Sequence, residues 1–456
     1  MSEYVTNGIE PRDDLKRLDK KELVWVVSNE IMEYFDLFTF SDNEECFWFN
    51  GSIYQSKGES MIRQQTVAKL RSFATKRTIN EVINTTKILS YIDRSEIKPP
   101  LNMICVGNGI LDIVHERLYR HTPECKFFSK LPIHYNSTAE CPKIEQFFRE
   151  VFHRDDIPII QELIGYLLWR QYHIHRAFLL IGDGANGKST FLKLLEAFLG
   201  KENICSLALQ DFGDNRFAAG QLYSKLANLY DDLTDESLKQ TGKFKILTGG
   251  GFLSADRKFK DAFLFENYAK LIFATNKPPD VKDDTGAFWR RWIFLNFPNS
   301  FVGSQADAMK VQRLTTNGEL SGLLNIAIAG LQRLLKKDDF SYRFTPEETR
   351  TLYKKAANSF FQFTIDRLTT ASSDWIRKRK LYATYVDFCK ISKLPAVAEN
   401  TFARKLREHY GSSIDGQQRK SIPCLDHIEK PVWIGIKFKP KEDIENGGES
   451  LDGYTQ

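Results

Sequence analysis

Phe178-Leu179-Leu180-Ile181-Gly182-Asp183-Gly184-Ala185-Asn186-Gly187-Lys188-Ser189-Thr190 is an apolar run, then a glycine-rich turn, then Lys-Ser-Thr. Phe191-Leu192-Lys193-Leu194-Leu195 follows at helical spacing. The pattern G-x-x-x-x-G-K-[ST] therefore stands in the setting its chemistry needs, with a strand before it and a helix after. Gly182, Gly184 and Gly187 let the backbone curl with its N–H groups inward, where side chains would block a phosphate. The loop from Gly182 to Thr190, with Asp183, Ala185 and Asn186 between its glycines, is the expected nucleotide-binding segment. Lys188 reaches the β- and γ-phosphates of ATP, and the Ser189 hydroxyl is a ligand for Mg²⁺. The helix that opens near Lys188 adds its positive end to the anion site.

Three further elements follow in an order that suits this loop. Lys225-Leu226-Ala227-Asn228-Leu229-Tyr230-Asp231-Asp232 is an apolar strand ending in two carboxylates. At the carboxyl edge of an open α/β sheet such residues lie beside a P-loop. One acid, Asp231, is expected in the Mg²⁺ shell, and the other to orient or deprotonate the attacking water. Lys270-Leu271-Ile272-Phe273-Ala274-Thr275-Asn276 is a buried-type strand ending in an amide suited to the attacking water or the γ-phosphate, and Pro278-Pro279 stops it. Phe288-Trp289-Arg290-Arg291-Trp292 then sets two guanidinium groups among bulky apolar residues, which fixes their positions.

The chain of 456 residues is long enough for two to four domains, and 42% hydrophobic residues supply their cores. A net charge of +5 excludes an evenly basic nucleic-acid coat, so any such surface is local. The 7 cysteines are odd in number and scattered without a C-x-x-C, which fits a reducing compartment. No stretch has the length of a membrane span and Met1-Ser2-Glu3-Tyr4 does not open a signal peptide, so a cytoplasmic protein without a membrane partner is expected. Residues 1–138 read as an α+β amino-terminal domain for assembly or docking. It has a helix over Leu23–Phe35, an Asn-Gly hairpin over Cys46–Tyr54, a helix across Thr66–Ile83, and strands from Met103 to Tyr135. Residues 139–175 read as a helical pedestal, and residues 176–336 as the nucleotide-hydrolysing core.

Several motifs in this fixed order resemble superfamily 3 helicases, in particular the helicase half of poxvirus, phage and plasmid primase–helicases. The order is the P-loop, Asp231-Asp232, Leu247-Thr248-Gly249-Gly250 with Arg257-Lys258-Phe259-Lys260, Leu271-Ile272-Phe273-Ala274-Thr275-Asn276, and Trp289-Arg290-Arg291. Asn108-Gly109-Ile110-Leu111-Asp112 and Leu131-Pro132-Ile133-His134-Tyr135 resemble the domain that precedes the helicase there. The resemblance implies an α/β, AAA+-like P-loop ATPase core with Asp231 and Asp232 as Walker B acids and Asn276 as sensor 1. It implies that Arg290 or Arg291 is an arginine finger reaching a neighbour's ATP within a homo-hexamer. It implies that Lys258 and Lys260 sit on a hairpin tracking single-stranded DNA, with Phe259 packing there or stacking on a base.

Beyond Lys336 a polar linker leads to residues 340–440. Helices over Thr351–Leu368, Ile376–Lys390 and Glu399–Tyr410 precede strand-like Ile422–Leu425 and Val432–Phe438, an order that suggests a winged helix. Basic Arg404, Lys405 and Arg407 lie on its expected recognition helix, and residues 441–456 read as a disordered tail. The whole points to an ATP-dependent helicase of a viral or mobile-element replication system, acting on single-stranded DNA and forked duplex in the host cytoplasm. No primase catalytic domain is visible, so priming is expected from a separate primase or polymerase. Asn276 and the arginine pair argue against a P-loop kinase. An initiator ATPase that binds and melts an origin without processive unwinding is the alternative.

Overall fold

The computed structural model describes residues 18–215, 217–234, 238, 241–257, 260–279, 281, 283, 285–302, 307, 309–392, 396–421 and 429–440. Of the elements expected from sequence, the 441–456 tail and Ile422–Leu425 lie outside the described residues. It is a mixed α/β protein built on a parallel sheet.

The chain enters through α1 (Lys20–Tyr34), whose start is fixed by a capping box between Asp19 and Glu22. Strands β1 (Leu37–Phe40), β2 (Cys46–Phe49) and β3 (Tyr54–Gln55) precede helices α2 (Gly58–Leu70) and α3 (Lys76–Leu89) and the short β4 (Tyr91–Ile92). The single helix expected across Thr66–Ile83 is thus two. Arg71 has φ 47°, a conformation no helix interior tolerates, and Thr75 caps the second helix. Val27 and Ile31 of α1 meet Ile62, Val82 and Ile83 in one core. Phe38, Phe40, Phe47 and Tyr54 form a separate aromatic cluster on the sheet.

A three-stranded antiparallel sheet follows, β5 (Met103–Val106), β6 (Gly109–Asp112) and β7 (Arg117–Tyr119). The strand expected to continue to Tyr135 stops at β7, where Pro123 opens a 3₁₀ turn and Lys126 has φ 46°. Two helices, α4 (Pro142–Val151) and α5 (Ile157–Tyr166), lead to β8 (Ala177–Ile181) and α6 (Lys188–Leu199). After β9 (Ile204–Cys205), α7 (Asp211–Asp214) and α8 (Ala218–Gln221) come β10 (Ala227–Tyr230), α9 (Gly242–Leu247), the hairpin β11 (Phe252–Arg257) and β12 (Lys260–Glu266), β13 (Lys270–Thr275), α10 (Gly286–Trp289) and β14 (Trp292–Asn296).

Five of these strands form a parallel sheet in the order β14-β8-β13-β10-β9. The side chains of β8 and β13 alternate between two cores. Phe178, Leu180, Ile272 and Ala274 enter one, while Ala177, Leu179, Leu271 and Phe273 enter the other. Both faces are therefore covered, which is why these strands read as unbroken apolar runs. The first core runs continuously from Ile104 on β5 through Leu163 on α5 to Leu331, across the positions 138 and 175 expected as boundaries.

Helices α11 (Lys310–Leu314) and α12 (Asn317–Lys337) complete this body. The backbones of α5 and α12 cross closely: a Cβ on Gly165 would lie 2.3 Å from the Ala327 carbonyl oxygen, and one on Gly330 would lie 2.3 Å from that of Gln161. Glu162 is fully buried in this crossing. Its carboxylate accepts from Arg333 Nε at 2.9 Å, Ser341 N at 2.7 Å and Ser341 Oγ at 2.7 Å.

The carboxy-terminal unit comprises α13 (Pro346–Ala357), α14 (Ser359–Arg367), β15 (Leu368–Arg377), α15 (Lys378–Ile391), α16 (Glu399–Tyr410), β16 (Arg419–Ser421) and β17 (Glu429–Phe438). Its antiparallel sheet has the order β15-β17-β16. Phe360, Phe363, Leu381, Tyr385, Phe402 and Trp433 fill its core. Strand β15 was not foreseen, because an irregularity between Ala371 and Trp375 breaks its period-two pattern.

Arg94 and Tyr353 are among the residues that join the units. Arg94, held by Asp42 at 2.8 and 2.9 Å, lies 3.8 Å from the Phe40 ring centroid and 4.1 Å from that of Phe263 at the base of the β11–β12 hairpin. Tyr353 on α13 donates to the Pro279 carbonyl at 2.6 Å, just beyond β13.

Replacing Glu162 with alanine strands the Ser341 N–H in the α5–α12 crossing and is expected to cost about 2–3 kcal/mol. Arg333→Ala should cost more, about 3–5 kcal/mol, since it leaves the fully buried Glu162 carboxylate without its counter-charge. Thermal denaturation of both variants checks this, and equal losses would contradict it.

Candidate functional site

Parallel strands bring their carboxyl ends to one edge, and the register aligns three of them. Ile181 of β8 pairs with Thr275 of β13, and Tyr230 of β10 pairs with Phe273. Gly182 and Asn276 therefore emerge side by side, and Asp231 follows a strand that ends two residues lower, at the level of Phe273. Asp231 and Asn276, with Gly184 to Thr190, Asp232 and Thr275, line one cavity of about 700 Å³.

The loop is shaped by contacts that leave no room for side chains. A Cβ on Gly182 would lie 2.0 Å from Asn186 Nδ2 and 2.8 Å from the Phe297 carbonyl oxygen. Gly187 has φ 95°, and a Cβ there would meet Val151 Cγ1 at 2.8 Å. Helix α4 thus rests directly on the turn that starts α6. Phe301 N donates to the Ala185 carbonyl at 2.7 Å and ties the far side of the loop to the segment after β14.

Lys188 is buried, and its ammonium donates to the Gly182 carbonyl, to Asn186 Oδ1 at 3.1 Å and to Asn276 Oδ1 at 2.9 Å. Burial moves its pKa down, while the carboxylates of Asp231, Asp183 and Asp232 oppose that shift. The bond to Asn276 joins the end of β13 to the lysine expected to meet phosphate. Asp231 and Asp232 are both exposed, and Asp232 has φ 60°. That left-handed turn, which aspartate tolerates better than most residues, sends the chain back so that Leu233 N reaches the Ala274 carbonyl at 2.7 Å. Ser189 and the two aspartates offer hydroxyl and carboxylate oxygens, the hard donors that suit Mg²⁺.

The arginine pair is elsewhere. The Arg291 carbonyl accepts from Ala177 N at 2.6 Å, so the pair stands at the amino edge of the sheet. Five residues of β8 separate it from the P-loop, about 16 Å at strand rise. Arg290 is exposed, and Arg176 Nη1 holds its carbonyl at 2.5 Å while pairing with Asp339. Arg291 is buried, with its guanidinium on the Ala287 carbonyl, and burial and Arg290 both push its pKa down.

Of the remaining expected residues, Lys258 and Phe259 lie outside the described residues, and Lys260 is the first residue of β12. Arg404, Lys405 and Arg407 lie on α16 and none of them lines the cavity. Arg404 is 3.9 Å from Glu408, and the Arg407 guanidinium lies 5.4 Å from the Trp433 ring centroid.

Seven wall residues of the cavity had not been anticipated: Phe147, Glu150 and Val151 on α4, Thr275 at the end of β13, and Phe301, Asp307 and Lys310 after β14. The apolar spacing of α4 reads as core, and Phe147 does serve the core, so the pattern carries no sign of a second duty.

Two family descriptions match the chain, "D5 N terminal like" over residues 19–153 and a family of unknown function (DUF5906) over residues 180–291. A protein named putative helicase from Acanthamoeba polyphaga mimivirus is 28% identical over 142 residues, 30% of this chain and 15% of that protein. Proteins with the same description from Invertebrate iridescent virus 6 and Invertebrate iridescent virus 3 are 24% and 25% identical, over 51% and 53% of this chain and 25% and 27% of theirs. The chain resembles viral primase–helicases. It spans about a quarter or less of the length of these curated relatives. Among solved structures, the apo C-terminal region of NrS-1 is similar over 90% of this chain and 99% of its own, at 12% identity and a TM-score of 0.44. No helix among the described residues is long and apolar enough to cross a membrane.

Gly184 has φ 94° and a Cβ there would meet nothing within 4 Å, unlike Gly187. Alanine at either position costs about 1–2 kcal/mol for the left-handed backbone. Only Gly187→Ala also pushes α4 off the loop, so it should lower the melting temperature further than Gly184→Ala. Equal losses would contradict the packing of α4 on the loop.

Proposed function

We propose that this viral helicase-like chain is an ATP-dependent DNA helicase of superfamily 3, with an AAA+-like core. It serves a viral or mobile-element replication system and works as a homo-hexameric ring on single-stranded DNA. The convergence of Lys188, Ser189, Asp231, Asp232 and Asn276 on one cavity at the carboxyl edge of the sheet carries this reading. Lys188 and the inward N–H groups of the loop hold the β- and γ-phosphates. Ser189 and Asp231 would hold Mg²⁺, which neutralises charge developing on the phosphoryl oxygens. Asp232 and Asn276 orient the water whose oxygen attacks the γ-phosphorus. The bond to the β,γ-bridging oxygen breaks, leaving ADP and phosphate.

The arginine pair supports a shared site. An exposed Arg290 about one strand length from its own P-loop is of no use to its own nucleotide, but it suits a neighbour's. Arg290 is assigned as the trans-acting group, because Arg291 spends its guanidinium inside its own protomer. Lys258, which falls between β11 and β12 in the sequence, and Lys260, the first residue of β12, are assigned to single-stranded DNA. The carboxy-terminal unit is assigned as a winged helix that contacts DNA through Arg404, Lys405 and Arg407 on α16. Primers come from a separate primase or polymerase.

ATPase and unwinding assays test the reading. Lys188→Ala should abolish both activities. Lys258→Ala/Lys260→Ala should keep basal ATPase and lose unwinding and DNA-stimulated turnover, and normal unwinding by that variant would remove the hairpin assignment. Arg290→Ala should lose about 10³-fold in ATPase, and mixing it with Lys188→Ala protein should restore part of the rate. Failure of the mixture to exceed its two components would contradict a site completed in trans.

A further inference from the structure

Helix α10 is capped at Arg290, and a helix leaves its last carbonyls without partners of its own. Two successive carbonyls there are taken up by two successive residues at the entrance to β8. The Arg290 carbonyl accepts from Arg176 Nη1 at 2.5 Å, and the Arg291 carbonyl accepts from Ala177 N at 2.6 Å. The second bond is main chain to main chain, and any residue but proline at 177 could make it. The first needs a particular side chain.

That side chain is held at its other face. Arg176 Nη2 lies 2.9 Å from Asp339 Oδ2 and 3.2 Å from Oδ1, and Nε lies 3.3 Å from Oδ1. Asp339 Oδ1 also accepts from Phe340 N at 2.8 Å. Phe340 is buried, with its ring centroid 5.3 Å from that of Phe178 on β8 and 5.6 Å from that of Tyr166 on α5. The main chain of Arg176 is tied too, because Tyr172 Oη donates to its carbonyl at 2.7 Å. Asp339 is thus anchored beside the core, Arg176 on Asp339, and the Arg290 carbonyl on Arg176. A planar guanidinium suits this double task. Two of its nitrogens grip the carboxylate and the third is left for the carbonyl, which a lysine ammonium could not match.

Stability does not account for the arrangement. The side chains of Arg176 and Asp339 are 19% and 48% exposed, and an ion pair so open to water adds little to the fold. What it fixes is the backbone from which the exposed Arg290 side chain departs. Arg176 immediately precedes β8, so one strand carries the support of Arg290 at its start and the P-loop at its end.

We propose that Arg176, oriented by Asp339, is a positioning residue for Arg290. It sets the place and direction in which Arg290 leaves its own protomer for a neighbour's nucleotide, and it touches no nucleotide itself. The inference rests on the reading of Arg290 as the trans-acting group and deepens it.

Steady-state ATPase of the full chain, with calorimetric titration of ADP and Mg²⁺, tests it. Arg176→Ala should lower kcat about 10- to 10²-fold, the scale of a small misplacement, and leave KM and ADP affinity unchanged. Asp339→Asn, which keeps an acceptor for Phe340 N but removes the charge, should lower kcat in the same sense by less. Circular dichroism checks that each variant folds, and Asp339→Asn carries the test if Arg176→Ala does not. The double variant Arg176→Ala/Arg290→Ala should be no slower than Arg290→Ala. Arg176→Ala protein mixed with Lys188→Ala protein should regain rate, because the neighbour then supplies a well-placed Arg290. Wild-type kcat in Arg290→Ala would remove the trans-acting arginine and this inference with it. A slow Arg290→Ala beside wild-type kcat in both Arg176→Ala and Asp339→Asn would overturn the positioning role and leave that of Arg290 standing. So would losses that multiply in the double variant, or ADP affinity that falls in step with kcat.

Discussion

The parallel pairing of β8 with β13 and β14 is the constraint on which the rest depends. Its register puts Ile181 level with both Thr275 and Asn296. One sheet edge therefore gathers Gly182, Asn276 and the Phe297 carbonyl that meets Asn186. The same pairing sends Arg290 and Arg291 to the opposite edge, because Arg291 leads into the start of β14. A one-residue slip would exchange the two cores that β8 and β13 feed, so hydrophobic burial on both faces fixes the geometry of the chemistry.

Much of the candidate site was legible because its residues follow strands directly. The loop after Ile181, the acids after Tyr230 and the amide after Thr275 each occupy a strand end, and a parallel sheet converts sequence order into spatial neighbourhood. The wall contributed by α4 was not legible. Phe147 and Val151 sit on an amphipathic helix whose spacing says only that one face is buried. That this face also lines a cavity depends on α4 resting against Gly187, a tertiary contact with no local signature. The choice between Arg290 and Arg291 was equally closed to sequence. Both flank apolar residues, and only the backbone turn after α10 buries one and exposes the other.

The fold shows a similar division. Helices with strong start signals, such as α1 with Asp19 and Glu22, stand close to where sequence put them. The break between α2 and α3 and the irregular strand β15 depended on single backbone conformations that composition does not specify. The boundaries expected at 138 and 175 divide units that share one apolar core, since β5, α5 and α12 all contribute to the cluster around β8. Arg94 links the amino-terminal sheet to the base of the β11–β12 hairpin through Phe40 and Phe263. Cavity wall, sheet and hairpin are thus mechanically continuous with the amino-terminal segment.

A nucleotide site completed by the next protomer ties hydrolysis to assembly. The direct measurement is ATPase rate per protomer across a dilution series, with mass photometry reporting the assembled fraction at each concentration. The rate per protomer should rise in step with assembly and approach zero where only monomers remain. A constant rate per protomer down to fully monomeric protein would contradict the shared site and, with it, the role given to Arg290.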